Sequence, residues 1–297
     1  MTSNSSKVYT LNKLKSLSDE SLIVQFLKTK ATLSPATIKN YRTLLKQFMS
    51  FIEQDGLSLV QVQEQHVSKF LAQYDYQSTK ESYKTILTIF YKWAFKVRLV
   101  TENPAEDIHV GNGKRKPKEL MSESDFKLIL SRCDGLREMT LISFLWYTGV
   151  RSKELRFIRL EDIDLERGLI TVSNSKTTTG YRTLPIHPNF KNLLVQYYNR
   201  RVNLPLPRPE VWLFLTKRGS QFSDRTLSHL ISSLQWNTET SYSCHDFRRA
   251  FVTRLYRKTK DLVLCQRLAG HSSIETTRRY ILDDPEEQRR KFNSLDF

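Results

Sequence analysis

The chain has 297 residues, 39% hydrophobic and 26% charged, which allows two domains with separate cores and excludes disordered and collagen-like classes. Lysine and arginine number 47 against 31 acidic residues, and the formal charge of +16 favours nucleic acid as a partner over a merely basic protein. Three scattered cysteines, no signal peptide and no long apolar run predict a cytoplasmic, nucleoid-associated protein without a disulfide framework or membrane contact.

The first third of the chain has a helical pattern. Residues 1–18 are polar and basic and are expected to form a flexible arm, whereas residues 19–110 are expected to form an all-helical domain of four or five helices. Ser34-Pro35 predicts a helix start, and Ser78 with Glu81 predicts a second one through a capping box. Apolar residues follow the first start at helical spacing: Ile38, Tyr41, Leu45, Phe48 and Ile52.

Residues 111–118, with the sequence GNGKRKPK, are predicted to be a linker because glycine, proline and cations cannot build a core. The linker cations are candidate contacts to a DNA backbone: Lys114, Arg115, Lys116 and Lys118. A solvated hinge without such contacts is the alternative.

Residues 119–297 are expected to form a second domain that is mostly helical with a small antiparallel sheet. Ser122 with Asp125 predicts a capped helix, and an apolar helix over 137–148 is expected to end at Gly149. The segments 169–174 and 181–186 are predicted to be the strands of a hairpin, with a loose tip between them. The chain is therefore predicted to be mainly α with a small antiparallel β-sheet.

Motifs for metal or nucleotide chemistry are missing from the sequence. There is no phosphate-binding glycine loop, no dinucleotide fingerprint, and no HExxH or CxxC pattern. No metal or other cofactor is expected, so an enzyme that cuts a phosphodiester here must stabilise charge with side chains.

Four segments of the second domain carry side chains suited to that task. Arg151 follows a glycine turn, with Glu154 one helical turn later, and Lys176 lies at the hairpin tip. The segment HDFRRAF places His245 and Arg248 three residues apart on one helix face. The last segment, LAGHSSIETTRRYI, contains His271 and, nine residues later, Tyr280.

In this order the segments resemble the tyrosine recombinase (phage integrase) family, of the Xer-like or the transposon and plasmid resolvase type, and the resemblance spans nearly the whole chain. It implies a SAM-like core-binding domain over 19–110 that binds DNA, followed by a mixed α+β catalytic domain. One departure is Arg249, where many relatives carry histidine. That position is not one of the reacting groups.

Phosphate chemistry suggests a role for each residue. Arg151 and Arg248 are expected to clamp the scissile phosphate with planar donor forks, while His271 adds a hydrogen bond. Tyr280 is the expected nucleophile and His245 its candidate base, and the product is a 3′-phosphotyrosine link. The resemblance implies that Lys176 protonates the leaving 5′ oxygen. Glu154 is expected to orient this cluster.

Each assignment has an ordinary structural explanation as well. Tyr280 is one of 13 tyrosines and could be a packing residue, and Lys191 could replace Lys176. Arg151 could be an ordinary helix-start residue bound to Glu154. Cys244, His245 and His271 could form a zinc set, although the sequence offers no fourth ligand.

The expected partner is double-stranded DNA with an inverted-repeat core site, bound by a homo-tetramer or by a hetero-tetramer with a related recombinase. The resemblance favours resolution of replicon dimers or transposon cointegrates, because only about eighteen residues precede the first domain. Integration or excision of a mobile element is the second interpretation. A type IB topoisomerase or a catalytically inactive DNA-binding regulator would share many of these features. The C-terminal tail is expected to pack on a neighbouring protomer or on its own domain.

Overall fold

The structure is a computed structural model that divides into two compact units, Met1–Lys118 and Glu119–Phe297. It describes residues 14, 16–111, 119–173, 181–205, 210–236, 240–282, 289 and 292–294, and for 279–282 the backbone alone. The expected N-terminal arm lies almost entirely outside the described residues, and most of the linker does as well. No described helix is long and apolar enough to cross a membrane.

The first unit is a helical bundle. Its helices are α1 (Asp19–Lys28), α2 (Pro35–Glu53), α3 (Glu64–Ala72) and α4 (Gln77–Lys96), with a 3₁₀ turn at Leu59–Gln61. The predicted start of α2 is confirmed, because the Ser34 hydroxyl accepts the amide N–H of Thr37 and Pro35 occupies the first helical position. Leu45, Phe48 and Ile52 are fully buried.

The predicted start of α4 is wrong by two residues. The helix begins at Gln77, with Tyr76 at the N-cap, so Ser78 already lies in the first turn. The side chain of Gln77 donates to the Glu81 carboxylate at 2.9 Å, an i,i+4 contact along the helix surface. Glu81 therefore supports the first turn from its side and does not close a capping box.

Aromatic side chains dominate the core of the first unit. Phe26 meets Phe90 edge to face with ring centroids 5.3 Å apart, and Phe48 meets Phe70 in the same way at 5.0 Å. The hydroxyl of the buried Tyr91 donates to the Leu59 carbonyl at 3.1 Å, so that helix α4 is tied to the 3₁₀ turn.

The second unit is mostly helical with a three-stranded antiparallel sheet in the order β1-β2-β3. Its strands are β1 (Ile163–Asp164), β2 (Leu169–Ser173) and β3 (Tyr181–Pro185). Its helices are α5 (Glu123–Ser131), α6 (Leu136–Thr148), α7 (Ser152–Arg156), α8 (Pro188–Val202), α9 (Asp224–Ser233), α10 (Cys244–Thr259), α11 (Leu262–Ala269) and α12 (Ile274–Leu282). The predicted hairpin is confirmed in β2 and β3, and β1 extends the sheet beyond the prediction.

Helix α6 is the centre of the second unit. It is buried along most of its length and packs against α8 and α10. It ends where predicted, at Gly149, whose φ of 59° is left-handed. A Cβ at Gly149 would lie 2.4 Å from Cδ1 of Phe251 on α10, so only glycine lets the two helices approach this closely. The Ser122–Asp125 capping box at the start of α5 is also confirmed.

Candidate active site

Arg151 lies at the N-terminal boundary of the short helix α7, immediately after the turn that ends α6. Its amide N–H donates to Oε2 of Glu154 at 2.8 Å, and its Nη1 donates to Oε1 at 2.7 Å. Nη2 donates to the carbonyl of Gly270 at 2.9 Å. The side chain remains 41% exposed, so donors of the guanidinium still face solvent.

Glu154 is buried and holds two arginines at once. Arg182 of β3 donates from Nη1 to Oε1 at 3.0 Å and from Nη2 to Oε2 at 2.8 Å, a two-pronged contact. Burial alone would raise the pKa of the Glu154 carboxyl, but the hydrogen bonds and charges of Arg182 and Arg151 outweigh it and lower the pKa to about 2. Glu154 is therefore ionised at neutral pH.

Helix α10 carries the predicted His245 and Arg248. Asp246 accepts the amide and hydroxyl of Ser243 at 2.7 Å each, which fixes the helix start. Arg248 is 2% exposed, and its Nη1 donates to the carbonyl of Gly149 at 2.9 Å. His245 is exposed in the first turn of the helix. The same helix thus offers one buried cation and one accessible imidazole.

His271 follows the left-handed Gly270 that ends α11. Its ring is buried, and its Nδ1 lies 2.7 Å from the Oγ1 of Thr277, a fully buried residue of α12. Burial lowers the pKa of His271 to about 3, assisted by the charges of Arg248, Arg151, Arg182 and His245. The imidazole is therefore neutral near pH 7. Of the residues that lower its pKa, Arg248, Arg151 and His245 are predicted site residues, whereas Arg182 is not.

Tyr280 lies on α12, the helix that begins three residues after His271 and packs against α10 and α11. The structure describes its backbone, whereas its side chain lies outside the described part. Lys176 and the linker cations also lie outside it: Lys114, Arg115, Lys116 and Lys118. The roles of these residues stay predictions.

The structure brings together Arg151, Glu154, Arg248 and His271, and it adds residues that sequence reasoning missed. The missed residues are Arg182 and Thr277. Arg182 could have been found from the strand pattern, because it alternates with exposed neighbours on β3 and lies on the same inward side as Leu184. A cation on the inward side of a strand requires a buried partner. Thr277 left no such signal, since threonine is common on helix surfaces.

The predicted zinc alternative gains no support from the described residues. Within them, no three His, Cys, Asp or Glu side chains are grouped as metal ligands. Cys244 is buried, and burial raises the pKa of its thiol to about 12, which disfavours the thiolate that binds metal.

Comparison with known proteins identifies the class. Residues 117–287 match the phage integrase family, and residues 23–97 match the phage integrase N-terminal SAM-like domain. This protein belongs to the phage integrase family, as the sequence resemblance indicates.

Its relatives are tyrosine recombinases. Tyrosine recombinase XerD of Pseudomonas aeruginosa is 30% identical over 262 residues, 84% of this chain and 87% of the relative. Tyrosine recombinase XerC of Bacillus subtilis is 26% identical over 274 residues, 87% of this chain and 90% of the relative.

The solved structures confirm the predicted fold class. The Tn1549 transposon integrase, in complex with a circular intermediate DNA, superposes with a TM-score of 0.75 at 18% identity, covering 95% of this chain and all of the other. The XerH site-specific recombinase bound to a palindromic difH substrate gives 0.71 at 21% identity, covering 98% and 89%.

Proposed function

We propose that the protein cleaves and rejoins DNA at a specific site through a 3′-phosphotyrosine link at Tyr280. The observation that carries this proposal is that Arg151 and Arg182 share Glu154 and both bind the turn that precedes the buried His271. His271 lies at the turn that leads into the helix of Tyr280. A site of this kind is suited to a phosphate that acquires additional negative charge in its transition state.

The arginines supply the charge stabilisation. Glu154 binds the guanidinium groups of Arg151 and Arg182, and Arg151, Arg182 and Arg248 all act on the ring of His271. Arg151 remains 41% exposed, and Arg248 is held in place by its contact to the carbonyl of Gly149. Side chains fixed in advance in this way stabilise a phosphorane without reorganisation at the moment of reaction. We infer that the reaction proceeds without a metal, because the arginines supply the charge stabilisation, and without ATP, because the phosphotyrosine link retains the energy of the broken bond.

Proton transfers complete the proposed chemistry. The phenol of Tyr280, with an ordinary pKa near ~10, requires a base or a strong positive field. His245 is the proposed base, since it is exposed on the helix that carries Arg248. His271 is neutral and contacts the Thr277 hydroxyl through Nδ1. With that hydroxyl donating to Nδ1, the proton of the ring lies on Nε2, and Nε2–H is the proposed donor to the phosphate. Lys176 is the proposed acid for the leaving 5′ oxygen.

The proposed substrate is double-stranded DNA with an inverted-repeat core site, bound by a tetramer of this protein or of this protein with a related recombinase. The match to XerC and XerD tyrosine recombinases over most of the chain supports resolution of replicon dimers or cointegrates. The likeness to a transposon integrase keeps integration or excision of a mobile element as the second candidate. We place the SAM-like unit and the linker cations at the DNA backbone.

Trapping of a covalent adduct tests the nucleophile. Nicked suicide DNA from around the gene is incubated with the wild type, with Tyr280→Phe and with Tyr181→Phe, a matched change at a tyrosine that is 75% exposed. We expect the wild type and the control to leave protein on a 3′ end at one sequence, without added metal or ATP, and Tyr280→Phe to leave none. An adduct with Tyr280→Phe would exclude the assignment, and adducts scattered over many sequences would favour a topoisomerase. DNA binding without any adduct from the wild type would favour an inactive regulator.

A further inference from the structure

We propose that Arg182 is a positioning residue for strand cleavage, which fixes Glu154 and, through Glu154, the guanidinium of Arg151 that faces the phosphate. This inference rests on the proposed function of the site. It concerns a strand residue that contributes no expected contact to DNA and that belongs to none of the four predicted catalytic segments.

The contacts of Arg182 use both edges of its guanidinium. Nη1 and Nη2 bind the two oxygens of Glu154 at 3.0 and 2.8 Å, and Nε donates to the carbonyl of Leu268 at 2.9 Å. The side chain is 11% exposed, so little of it is available to a ligand. Such a planar fork holds a carboxylate in one orientation, which a lysine cannot do.

Arg182 and Arg151 converge on the same turn. Arg182 binds the carbonyl of Leu268, and Arg151 binds the carbonyl of Gly270. Leu268 and Gly270 lie just before His271 in the chain. A Cβ at Gly270 would lie 2.7 Å from Nη1 of Arg182, so the absence of a side chain there makes room for this arginine. Glu154 joins the two arginines, so that strand β3, helix α7 and the turn before His271 share one network.

The network explains why Arg151 keeps its charge available. Glu154 is contacted by four donors, two from Arg151 and two from Arg182. Without Arg182, the buried carboxylate would have Arg151 as its only cationic partner and would draw the guanidinium away from the phosphate. A displacement of about 1 Å at a reacting group costs roughly 100-fold in rate.

Protonation of Glu154 offers a readout that packing alone would not change. Burial raises the pKa of Glu154, and Arg182 provides the strongest of the effects that lower it, so removal of Arg182 raises that pKa. The carboxyl then takes up a proton as the pH falls, and its contacts to Arg151 weaken at low pH. The charged groups that act on Glu154 are Arg182 and Arg151. Arg248 and the neutral, titratable His271 lie beyond these arginines, and Asp224 of α9 pairs with Arg156 of α7.

The experiment measures single-turnover adduct formation on suicide DNA at saturating protein, from pH 5 to 8, together with DNA affinity. The variants are Arg182→Met and Arg182→Lys, and Arg167→Met is the matched control, an arginine of the same sheet region that is 81% exposed. We expect Arg182→Met to lose roughly 100-fold in rate at unchanged affinity. Arg182→Lys should lose less, and for both variants the loss should deepen as the pH falls.

Two outcomes would contradict the proposal. If both Arg182 variants react within about twofold of Arg167→Met, Arg182 does not position the site. If rate and affinity fall together with no change in the pH profile, its role is structural. Should Arg182→Met fail to fold by circular dichroism, Arg182→Lys carries the test by the same criteria. Failure of the proposed function is distinguishable, because then the wild type itself forms no adduct.

Discussion

The two units of the molecule bury different kinds of side chains. Among the described residues, the buried side chains of the first unit are hydrophobic, including the tyrosines Tyr83 and Tyr91. Every described buried side chain that is polar or charged lies in the second unit, and Glu154, Arg248 and His271 are three of these. A core of aromatic and aliphatic groups stabilises a scaffold, whereas buried charge stabilises only where partners are in place. The fold of the second unit therefore depends on polar partners that the core of the first unit does not require.

Each charged group buried in the second unit has a partner of suitable chemistry. Arg201 donates to the carbonyls of Glu210 and Trp212, and Glu138 accepts from Arg137. Glu154 binds two arginines. The groups near the proposed phosphate differ from the structural ones, because three arginines, Arg151, Arg182 and Arg248, act on the same buried histidine, His271. A convergence of guanidinium groups on one point is the expected character of a site for an anionic transition state.

The largest expected effect concerns the hydrophobic unit. Phe90→Ala removes a side chain that contacts Phe26 and Trp93 at the centre of the bundle, and we expect a loss of about 3–5 kcal/mol in the free energy of unfolding of that unit. Hydrogen exchange resolved by peptide measures it for each unit separately. Phe95→Ala on the same helix, at a side chain that is 54% exposed, is the control and should change stability by less than about 0.5 kcal/mol. Equal losses from both variants would show that the apolar core does not set the stability of the unit.

A substitution in the second unit is expected to affect the reaction. Arg248→Lys keeps the charge near His271 but loses the planar fork and its Nη1 contact to Gly149. We expect adduct formation to slow by roughly 100- to 1000-fold, about 3–4 kcal/mol in activation free energy. Arg249→Lys, at the next position of the helix, is the matched control and should stay within a few-fold of the wild type. An unchanged rate in Arg248→Lys would mean that Arg248 does not bind the phosphate.

The difference between the two units also determines which of their buried residues can be predicted from the sequence. Burial in the first unit follows helical periodicity, so Leu45, Phe48 and Ile52 are predictable from spacing alone. In the second unit, Arg151, Arg248 and His271 are predictable because local motifs and family order mark them. Arg182 and Thr277 act through contacts to residues distant in the chain or across a turn, and no local pattern encodes those contacts. The predicted start of α4 is wrong because side-chain contacts along the helix surface compete with capping.

The smallest of these effects is a dependence of stability on pH in the second unit. The unfolded chain takes up a proton at His271 near pH ~6.5, whereas the folded protein does so only near pH 3, because burial and the surrounding arginines lower the pKa. Acid therefore favours the unfolded state, and the free energy of unfolding should fall by about 1.4 kcal/mol per pH unit between pH ~6 and ~5 through this group alone. Tryptophan fluorescence reports mainly on this unit, since Trp146, Trp212 and Trp236 lie in it. His271→Asn can still bond to Thr277 but cannot titrate, so its stability should depend less steeply on pH than that of the wild type by that amount. Parallel pH profiles in the two proteins would mean that His271 is not held neutral by its neighbours, and the contrast between the two units would then not extend to this histidine.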